Sequence, residues 1–553
     1  MFENKNKSAT TMNVSSVVAT NRRSLVPLYY AIMLSGVICV SDSVQAMQID
    51  VGNPDVALTF GNTLRYAAGW RVEGRDSAIA NSPNTDEGDN AYDRGDMVTN
   101  RLDLLTEIDF SYQRQYGFRL SASAWRDFAF NDHVKTGDNL ADRGSYENNH
   151  YSGYTRRYGK GLSGEILDAY VFGNFQLGEV DSFIRAGRLA DLWGEAISLS
   201  AHSVSYAQAP SDGYKALVNP GADAKELALP IGQVTGQFQV TPDLTLLAQY
   251  FYEWKPTRVA EGGTYLGGTD FTLEGPDRFS LAPGVFLAND GVDKPNNGGD
   301  WGVGARYRPS WFDGTIGAYY REFTERNPTL SLDLVNLRYR AVYPEKAKLM
   351  GVSFSKSIGG VSTGLEIVHR QDTAFNSSIR DGSDEGARGD SNHVLLNAIY
   401  AMPPSDFWSN ANLTGELAYS RWDKIRSGEQ YFNRCENGRK VDSGCVTRDA
   451  WQAFLQFAPT WTAVWPGWDI TAKASYNAGL KGNSAVLGGG NEHAGSYSLG
   501  LTFTYNQQQD FTLAYNDYLG TNKTDANGLI SQSNGQQLQD RGWLVFTYKN
   551  SFE

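Results

Sequence analysis

The sequence predicts an all-β fold, a transmembrane antiparallel β-barrel of about 18 strands, with 14 and 16 strands as the alternatives. Three observations predict it: polar and apolar residues alternate along many stretches, long and short connections alternate between those stretches, and aromatic residues are abundant. The chain has 13 Trp, 30 Tyr and 26 Phe among 553 residues, yet its mean hydropathy is negative. A barrel explains this combination because only every second residue of its strands faces lipid.

The composition excludes several other classes of protein. The one apolar run that approaches the length of a membrane helix, residues 25–40, is too short to span a bilayer. The aromatic content excludes a disordered chain, and three cysteines are too few for a disulfide-dense scaffold or a cysteine-rich metal cluster. A formal net charge of −13 argues against a nucleic-acid partner, because an acidic surface repels phosphates.

Residues 1–46 have the pattern of a secretory signal peptide. Arg22 and Arg23 precede the apolar run, and Val44 and Ala46 occupy the two recognition positions of the cleavage site. We therefore expect cleavage after Ala46, which leaves residues 47–553 as the barrel.

The stretch 101–110 illustrates the alternation that predicts strands. Its apolar face carries Leu102, Leu104, Ile108 and Phe110, and its charged face carries Arg101, Asp103, Glu107 and Asp109. Residues 497–505 and 544–552 repeat the alternation. In a barrel the apolar face contacts lipid and the polar face lines the interior.

Connections between the predicted strands alternate strictly in length. The eight short turns lie near residues 113–116, 177–180, 240–243, 309–313, 357–360, 402–407, 461–467 and 506–509. The nine long connections are residues 71–99, 131–162, 191–230, 255–298, 323–346, 372–391, 422–446, 478–493 and 519–538. Outer-membrane barrels have short periplasmic turns and long outer loops, and an even strand count returns both termini to one side.

Aromatic residues cluster where predicted strands end, as in the interfacial girdles of membrane barrels. These clusters are Tyr250, Tyr252 and Trp254, then Trp301, Tyr307 and Trp311, and then Trp461, Trp465 and Trp468. The alternative is that they fill the core of a soluble β protein. The last strand, residues 542–552, resembles the assembly signal of outer-membrane barrels, with Phe552 penultimate before Glu553. This resemblance implies the barrel assembly machinery as a partner.

Six segments in order are similar to a family of proteobacterial outer-membrane proteins, domain of unknown function 1302. They are residues 62–71 (NTLRYAAGWR), 98–110 (VTNRLDLLTEIDF), 116–127 (YGFRLSASAWRD), 184–195 (IRAGRLADLWGE), 219–230 (NPGADAKELALP) and 343–360 (YPEKAKLMGVSFSKSIGG). The family has no established activity. The resemblance implies an outer-membrane barrel with a periplasmic protein and an RND-type exporter as partners. It also implies a role in settings tied to hydrophobic or aromatic compounds.

The polar face of the strands supplies candidate lumen-lining residues. By alternation these are Arg101, Asp103, Glu107, Arg119, Trp125, Asp127, Gln249, Arg306, Arg308 and Arg321. Charges of both signs either line an aqueous channel and set its selectivity or pair with one another and fill a closed barrel. The sequence leaves both interpretations open.

An acidic stretch at residues 84–96 is a calcium-site candidate, since hard carboxylate oxygens alternate there with glycines. Its carboxylates are Asp86, Glu87, Asp89, Asp93 and Asp96, without the spacing of an EF-hand. The alternative is a solvated acidic loop beside lipopolysaccharide.

The connection 191–230 differs from the other long loops because it is rich in apolar residues and has no evident helix or strand. We expect it to fold into the barrel as a constriction or plug, with Lys225 and Glu226 near the pore. The alternative is an ordinary folded surface loop.

Cys435 and Cys445 lie in one polar stretch of an exported chain, so we expect a disulfide between them, with two free thiols as the alternative.

No enzyme activity and no cofactor are expected. The G-x-S-x-G pattern at residues 360–364 is followed by another predicted strand, whereas a nucleophile elbow needs a helix. Two functions remain: an outer-membrane channel or transport component for small, hydrophobic or aromatic molecules, or a closed structural or surface-binding barrel. In both cases the expected surroundings are outer-membrane lipid and lipopolysaccharide of a Gram-negative bacterium.

Overall fold

The structure, a computed structural model, describes residues 47–219, 222, 224–296, 298–436, 438–534 and 537–552. The predicted signal peptide 1–46 lies outside these residues, so its cleavage stays a prediction. In the described part of the chain, no helix combines the length and the apolar character that a membrane crossing requires.

Eighteen antiparallel strands form one closed sheet, which confirms the predicted β-barrel. The first nine are β1 (Val56–Arg71), β2 (Met97–Tyr112), β3 (Tyr116–Asp127), β4 (Gly161–Leu177), β5 (Val180–Leu189), β6 (Ile231–Thr241), β7 (Leu244–Phe251), β8 (Trp301–Tyr307) and β9 (Gly314–Phe323). The other nine are β10 (Ala347–Ile358), β11 (Val361–Ala374), β12 (Arg388–Met402), β13 (Asn410–Ser427), β14 (Asp449–Trp465), β15 (Trp468–Lys481), β16 (Gly495–Tyr505), β17 (Gln509–Leu519) and β18 (Trp543–Phe552).

Each strand pairs with its neighbours in sequence, and β18 pairs with both β17 and β1, which closes the barrel. The register places Arg65 of β1 opposite Asp103 of β2 and Lys549 of β18. A short strand, Met47–Ile49, pairs with residues 58–60 at the start of β1. Because closure pairs the backbone of every wall strand, the sheet has no free edge to expose to lipid.

The two ends of the barrel differ as the connection lengths predict. The eight short turns lie at one end, here called the short-turn end, and the long connections lie at the other, the long-loop end. The long connections contain short helices, namely α1 (Ser77–Ala80), α2 (Asp86–Asn90), α3 (Gly153–Gly159), α4 (Gly213–Val218) and α5 (Ala224–Leu227), and three 3-10 turns at Ser200–His202, Glu429–Tyr431 and Val441–Ser443.

Two small sheets lie among the long connections. One has four strands, Arg278–Ala282, Val285–Val292, Thr329–Asp333 and Arg338–Val342, and the other is a hairpin of Asn522–Thr524 and Ile530–Ser533. In the connection between β13 and β14, Cys435 and Cys445 form a disulfide, as predicted.

The outer face of the wall is apolar and its inner face is polar. Exposed apolar side chains recur at every second position, for example Leu102, Leu104, Phe118, Leu120, Val394, Leu396, Leu499 and Leu501. The residues between them are buried and often polar, such as Ser121 and Ser123 of β3. This is the reverse of a water-soluble barrel, so the outer face is suited to contact with lipid.

Exposed aromatic residues mark both ends of the apolar belt. Tyr250, Tyr252 and Trp301 lie at the long-loop end, and Tyr307, Trp311 and Trp465 at the short-turn end. Trp254 is an exception to the predicted girdle. It is buried in the loop after β7, where its ring packs edge-on against Tyr343 at a centroid distance of 4.8 Å.

Candidate functional site

The connection between β5 and β6, residues 190–230, bonds to inward-facing side chains of the barrel wall, and we call it the inner segment. It includes the 3-10 turn Ser200–His202 and the helices α4 and α5. Its hydrogen-bond partners lie on wall strands between β1 and β14. A loop that only covered the rim would not reach so many strands, so these contacts define the candidate site.

Two wall carboxylates accept hydrogen bonds from the main chain of the inner segment. Glu366 of β11 accepts the backbone N–H groups of Glu195, Ala196 and Val204, the last at 2.6 Å. Gly194 makes the approach possible, because its φ is +96° and a Cβ there would lie 2.4 Å from Glu366 Oε1.

Glu416 of β13 accepts three further N–H groups from the inner segment. They belong to Ile197, Ser198 and Leu199, at 2.8, 2.7 and 2.6 Å. Six amide groups of residues 195–204 therefore point at two buried carboxylates. Such charge-assisted bonds are stronger than bonds between neutral groups.

Two wall arginines bind the carbonyl groups of the same stretch. Arg321 of β9 donates to the carbonyl oxygens of Val204 and Tyr206 at 2.9 and 2.7 Å. Arg370 of β11 donates to the carbonyl oxygen of Ala201 at 2.7 Å, and its guanidinium lies over the ring of Tyr206 at 3.8 Å. Since a buried main chain without a sheet partner must bond elsewhere, the charged wall replaces the missing secondary structure.

An apolar cluster packs the inner segment against the same wall. Trp193 stacks on Tyr319 of β9 at 5.8 Å, and Tyr206 packs edge-on against Phe323 at 5.7 Å. Val204 belongs to the same buried cluster. Residues 193–206 are therefore held both by polar bonds and by packing.

A pair of histidines joins the inner segment to β12. The Nδ1 atoms of His202 and His393 are 3.1 Å apart, and His202 Nε2 lies 3.2 Å from the carbonyl oxygen of Gly489. A carbonyl only accepts, so neutral His202 carries its proton on Nε2 and accepts at Nδ1 from His393. His393 Nε2 then accepts from the hydroxyl of Ser391 at 3.0 Å. This relay leaves no ring nitrogen of the pair without a partner.

The carboxyl-terminal part of the inner segment is held by ion pairs. Glu226 is buried, with Arg65 Nη2 at 2.8 Å and Lys215 Nζ at 3.5 Å from its carboxylate oxygens. Lys225 is 44% exposed and lies 2.5 Å from Glu107 of β2. Both predicted constriction residues thus contact charged partners inside the barrel.

The predicted lumen residues fall into two groups. Those buried on the inner face are Arg101, Asp103, Trp125, Asp127, Gln249 and Arg321, and those half-buried are Glu107, Arg119 and Arg306. Arg101 pairs with Asp103 at 2.8 Å. Arg119 bridges Glu107, Asp109 and Asp168, the last two at 2.6 and 3.3 Å. Acid–base networks therefore line this part of the wall.

Arg308 lies at the edge of the barrel wall and continues the alternation of Gly302, Gly304 and Arg306 on β8. β8 ends at Tyr307, so Arg308 begins the short turn, where it is exposed and its Nε lies 3.3 Å from Thr315 Oγ1. Thr315 alternates on β9 with the inward Tyr319 and Arg321, so this contact lies on the inner side of the wall.

The acidic stretch at residues 84–96 forms neither a calcium cage nor a fully solvated loop. Asp86, Glu87 and Asp89 are buried on α2, and each has a different partner: the amide of Gly137 at 2.8 Å, Ser145, and Arg71 Nη2 at 2.6 Å, respectively. Asp93 and Asp96 lie outside α2 on the exposed turn. Burial, and then the charge of Asp270, raises the pKa of Asp86 and Glu87. Among the described residues, no group of three or more His, Cys, Asp or Glu side chains is placed to hold a metal ion.

The residues that bind the inner segment were only partly predicted from the sequence. Arg321, Glu107 and Gln249 are among the predicted lumen residues. Glu366, Arg370, His393 and Glu416 were not predicted. The available signal was a charged or imidazole side chain at an inward position of a predicted strand. Position alone does not tell whether such a group faces water or a buried main chain.

Three solved structures of outer-membrane proteins are similar to this chain in fold. OpdK of Pseudomonas aeruginosa, solved with vanillate, is 11% identical and has a TM-score of 0.39, and the match covers 90% of this chain and 98% of that one. A BenF-like porin of Pseudomonas fluorescens Pf-5 is 10% identical with a TM-score of 0.40, and 90% and 99% are covered. The channel DcaP of Acinetobacter baumannii is 10% identical with a TM-score of 0.36, and 92% and 100% are covered.

The sequence comparisons give the family. No curated protein matches the chain. The model of one protein family matches residues 28–552, which is nearly the whole chain. The chain therefore belongs to the family described as protein of unknown function DUF1302.

Proposed function

We propose that the protein is an outer-membrane channel for small hydrophobic or aromatic molecules, in which the inner segment acts as a movable plug. The observation that carries the proposal is the attachment of residues 195–206 to four charged wall side chains inside an 18-stranded barrel. Wall side chains alone do not fill a barrel of this size, which leaves a lumen in porins.

The chemistry of the attachment favours a movable plug rather than a permanent core. The bonds of Glu366, Glu416, Arg321 and Arg370 go to backbone amides and carbonyls. Release exchanges each of these bonds for a bond to water, so it costs the net value of a charge-assisted bond, about 1.5–3 kcal/mol each, and leaves no polar group unpaired. The charged wall would then line a hydrated path.

The substrate class in the proposal rests on the aromatic side chains beside that path. Trp193 and Tyr206 of the inner segment and Tyr319 of the wall belong to one buried cluster, so movement of the inner segment would expose their rings to the lumen. Small apolar and aromatic molecules pack favourably on such surfaces. The family resemblance also implies hydrophobic or aromatic compounds, which agrees with this substrate class.

A closed structural barrel is the second candidate, and one observation favours it. Glu226 is buried between Arg65 and Lys215, and breaking a buried pair exposes uncompensated charge at a cost of about 3–5 kcal/mol. A segment held in this way at its carboxyl-terminal end would open only partly.

Conductance in planar bilayers separates the two candidates. We expect low conductance from the intact protein and at least a tenfold increase after replacement of residues 195–206 by a short glycine–serine linker. The control removes the hairpin 522–533, which lies in the connection between β17 and β18. If all three proteins conduct equally, the plug is rejected. If none of the three proteins conducts, the closed barrel is supported. Uptake of a neutral aromatic dye and of a sugar into liposomes then tests the substrate class.

A further inference from the structure

Two histidines face solvent at the long-loop end, in the connection between β3 and β4, and we call them the rim histidine pair. His133 and His150 lie opposite each other in an isolated antiparallel bridge, and both are exposed. Their ring centroids are 4.1 Å apart, and the ring planes are inclined at 49° to each other. Neither histidine belongs to the attachment of the inner segment to the wall.

The backbone hydrogen bonds of the bridge bring these two side chains together. The amide of Val134 donates to the carbonyl oxygen of Asn149 at 2.8 Å. The amide of Tyr151 donates to the carbonyl oxygen of Asp132 at 3.1 Å. Because these bonds flank the two histidines, His133 and His150 form a non-hydrogen-bonded pair. In antiparallel strands such pairs have the shorter Cα–Cα distance, about 4.5 Å, and the closer side chains.

An apolar cluster holds the backbone of both histidines in place. Val134 and Tyr151 alternate with the exposed histidines and are buried together with Tyr146. Phe130 packs against the ring of Tyr151 at 5.1 Å, and the hydroxyl of Tyr151 donates to the carbonyl oxygen of Gly263 at 2.6 Å. The two imidazoles are therefore presented on a fixed backbone, which reduces the entropy that is lost when both bind one ligand.

The ring nitrogens of the rim histidine pair have no hydrogen-bond or ion-pair partner among the described residues. The other close pair, His202 and His393, is different, because it is buried and its ring nitrogens are bonded within the protein. Neutral imidazole is the commonest metal ligand among protein side chains, and it suits Zn²⁺ and Cu²⁺. The rim histidine pair can bind such an ion without breaking any bond to a described residue.

The charged side chains beside the pair have partners of their own. Asp132 forms an ion pair with Lys160 at 2.5 Å, so their charges cancel. Lys135 is two residues from His133, and its Nζ lies 3.3 Å from the carbonyl oxygen of Ala91. The protein as a whole carries a formal net charge of −13, which favours the approach of a cation.

We propose that the rim histidine pair binds a transition-metal dication of the Zn²⁺ or Cu²⁺ class, with one nitrogen of each ring as a ligand. Two Zn–N bonds of about 2.0–2.1 Å at a tetrahedral angle place the two nitrogens roughly 3.3 Å apart. Rings with centroids 4.1 Å apart reach this separation by rotation of the exposed side chains alone.

Water fills the remaining coordination positions of the ion. Within the described part of the chain, no third His, Cys, Asp or Glu joins the pair to form a metal-binding group. Ca²⁺ and Mg²⁺ prefer oxygen ligands, so they do not bind at two imidazoles. This site goes beyond the proposed channel and does not depend on transport.

Titration of Zn²⁺ into the purified full-length protein without a histidine tag tests the site. His133→Ala and His150→Ala should each weaken Zn²⁺ binding by about tenfold or more, because each removes half of the protein ligands. The double variant should bind no more weakly than either single variant, since one chelate needs both rings. The control is His493→Ala, which removes an imidazole from the connection between β15 and β16 at the same end. Absence of Zn²⁺ binding, equal binding by parent and single variants, or additive losses in the double variant would overturn the site.

Two further measurements separate coordination from a structural effect of the substitutions. The electron paramagnetic resonance spectrum of bound Cu²⁺ should show two imidazole nitrogens in the parent protein and one in each single variant. Zn²⁺ should slow hydrogen exchange at the amides of Val134 and Tyr151 in the parent protein alone, because an ion that binds the folded bridge stabilises it. A Cu²⁺ spectrum without imidazole nitrogens, or exchange that Zn²⁺ leaves unchanged, would contradict the proposal. None of these measurements depends on conductance, so the site and the channel can fail separately.

Discussion

Glu416 Oε2 accepts the backbone N–H of Leu199 at 2.6 Å, so the main chain of the inner segment satisfies a carboxylate of the wall. The same holds for Glu366 and Val204. Because every residue except proline supplies an amide, this attachment depends on the path of the inner segment and only weakly on its side chains. The specificity of the attachment therefore lies in the wall residues.

Replacing the two wall carboxylates should loosen the inner segment. Glu366→Ala with Glu416→Ala removes six charge-assisted bonds, each with a net value on the order of 1.5–3 kcal/mol. We expect faster proteolysis within residues 195–206 and higher conductance. The control is Glu322→Ala, since Glu322 alternates with the inward Arg321 and Phe323 on β9. An unchanged cleavage pattern would contradict the attachment.

Arg119 should control the ion selectivity of the lumen near the short-turn end. Its guanidinium is ion-paired with Glu107, Asp109 and Asp168, so Arg119→Ala removes one positive charge and leaves these carboxylates with less compensation. We expect the reversal potential in a salt gradient to shift toward cation selectivity, measured in the variant without residues 195–206. Arg114→Ala is the control because Arg114 lies exposed in the turn between β2 and β3. A shift toward anions would contradict the network.

The inward and outward faces of the strands and the positions of the turns were predictable from the sequence. The contacts that the inner segment makes inside the lumen were not. Alternation at residues 101–110 fixed which side chains of β2 face inward, because the side-chain period of a strand is two. The turn positions followed from short polar interruptions. By contrast, the pairing of Glu416 with Leu199 joins residues 217 positions apart and depends on the course of an irregular loop. No local period encodes that course.

Removing the disulfide should loosen one loop and leave the barrel intact. Cys435 and Cys445 are 10 positions apart, and the loop-closure entropy of such a crosslink is about 2–3 kcal/mol. Cys445 is buried beside Val446, which packs with Phe375 and Phe432. We expect the variant with both cysteines replaced by serine to be cleaved faster between residues 432 and 448 while the barrel keeps its melting temperature. A fall in the melting temperature of the whole barrel would contradict this local role.

The loops at the long-loop end should become less stable as pH rises. Burial raises the pKa of Glu261 from 4.5 to about 8, although its carboxylate accepts the amide of Gly275 at 2.7 Å. The folded state therefore holds this proton more tightly than the unfolded state. The stabilisation is fully present below the unfolded pKa of 4.5 and is lost as pH rises toward about 8. At about 1.4 kcal/mol per pKa unit, the loss is on the order of 5 kcal/mol at most.

Glu261→Gln should remove this dependence because the carboxamide accepts the same amide without a charge. Hydrogen exchange of residues 261–275, followed from acidic to alkaline pH, should show a steep loss of protection in the parent protein and a shallower one in the variant. Some slope should remain, since burial also raises the pKa of Asp86 and Glu87. The control is Glu147→Gln, because Glu147 is exposed in a neighbouring loop. Protection that increases with pH in the parent protein would contradict the buried acid.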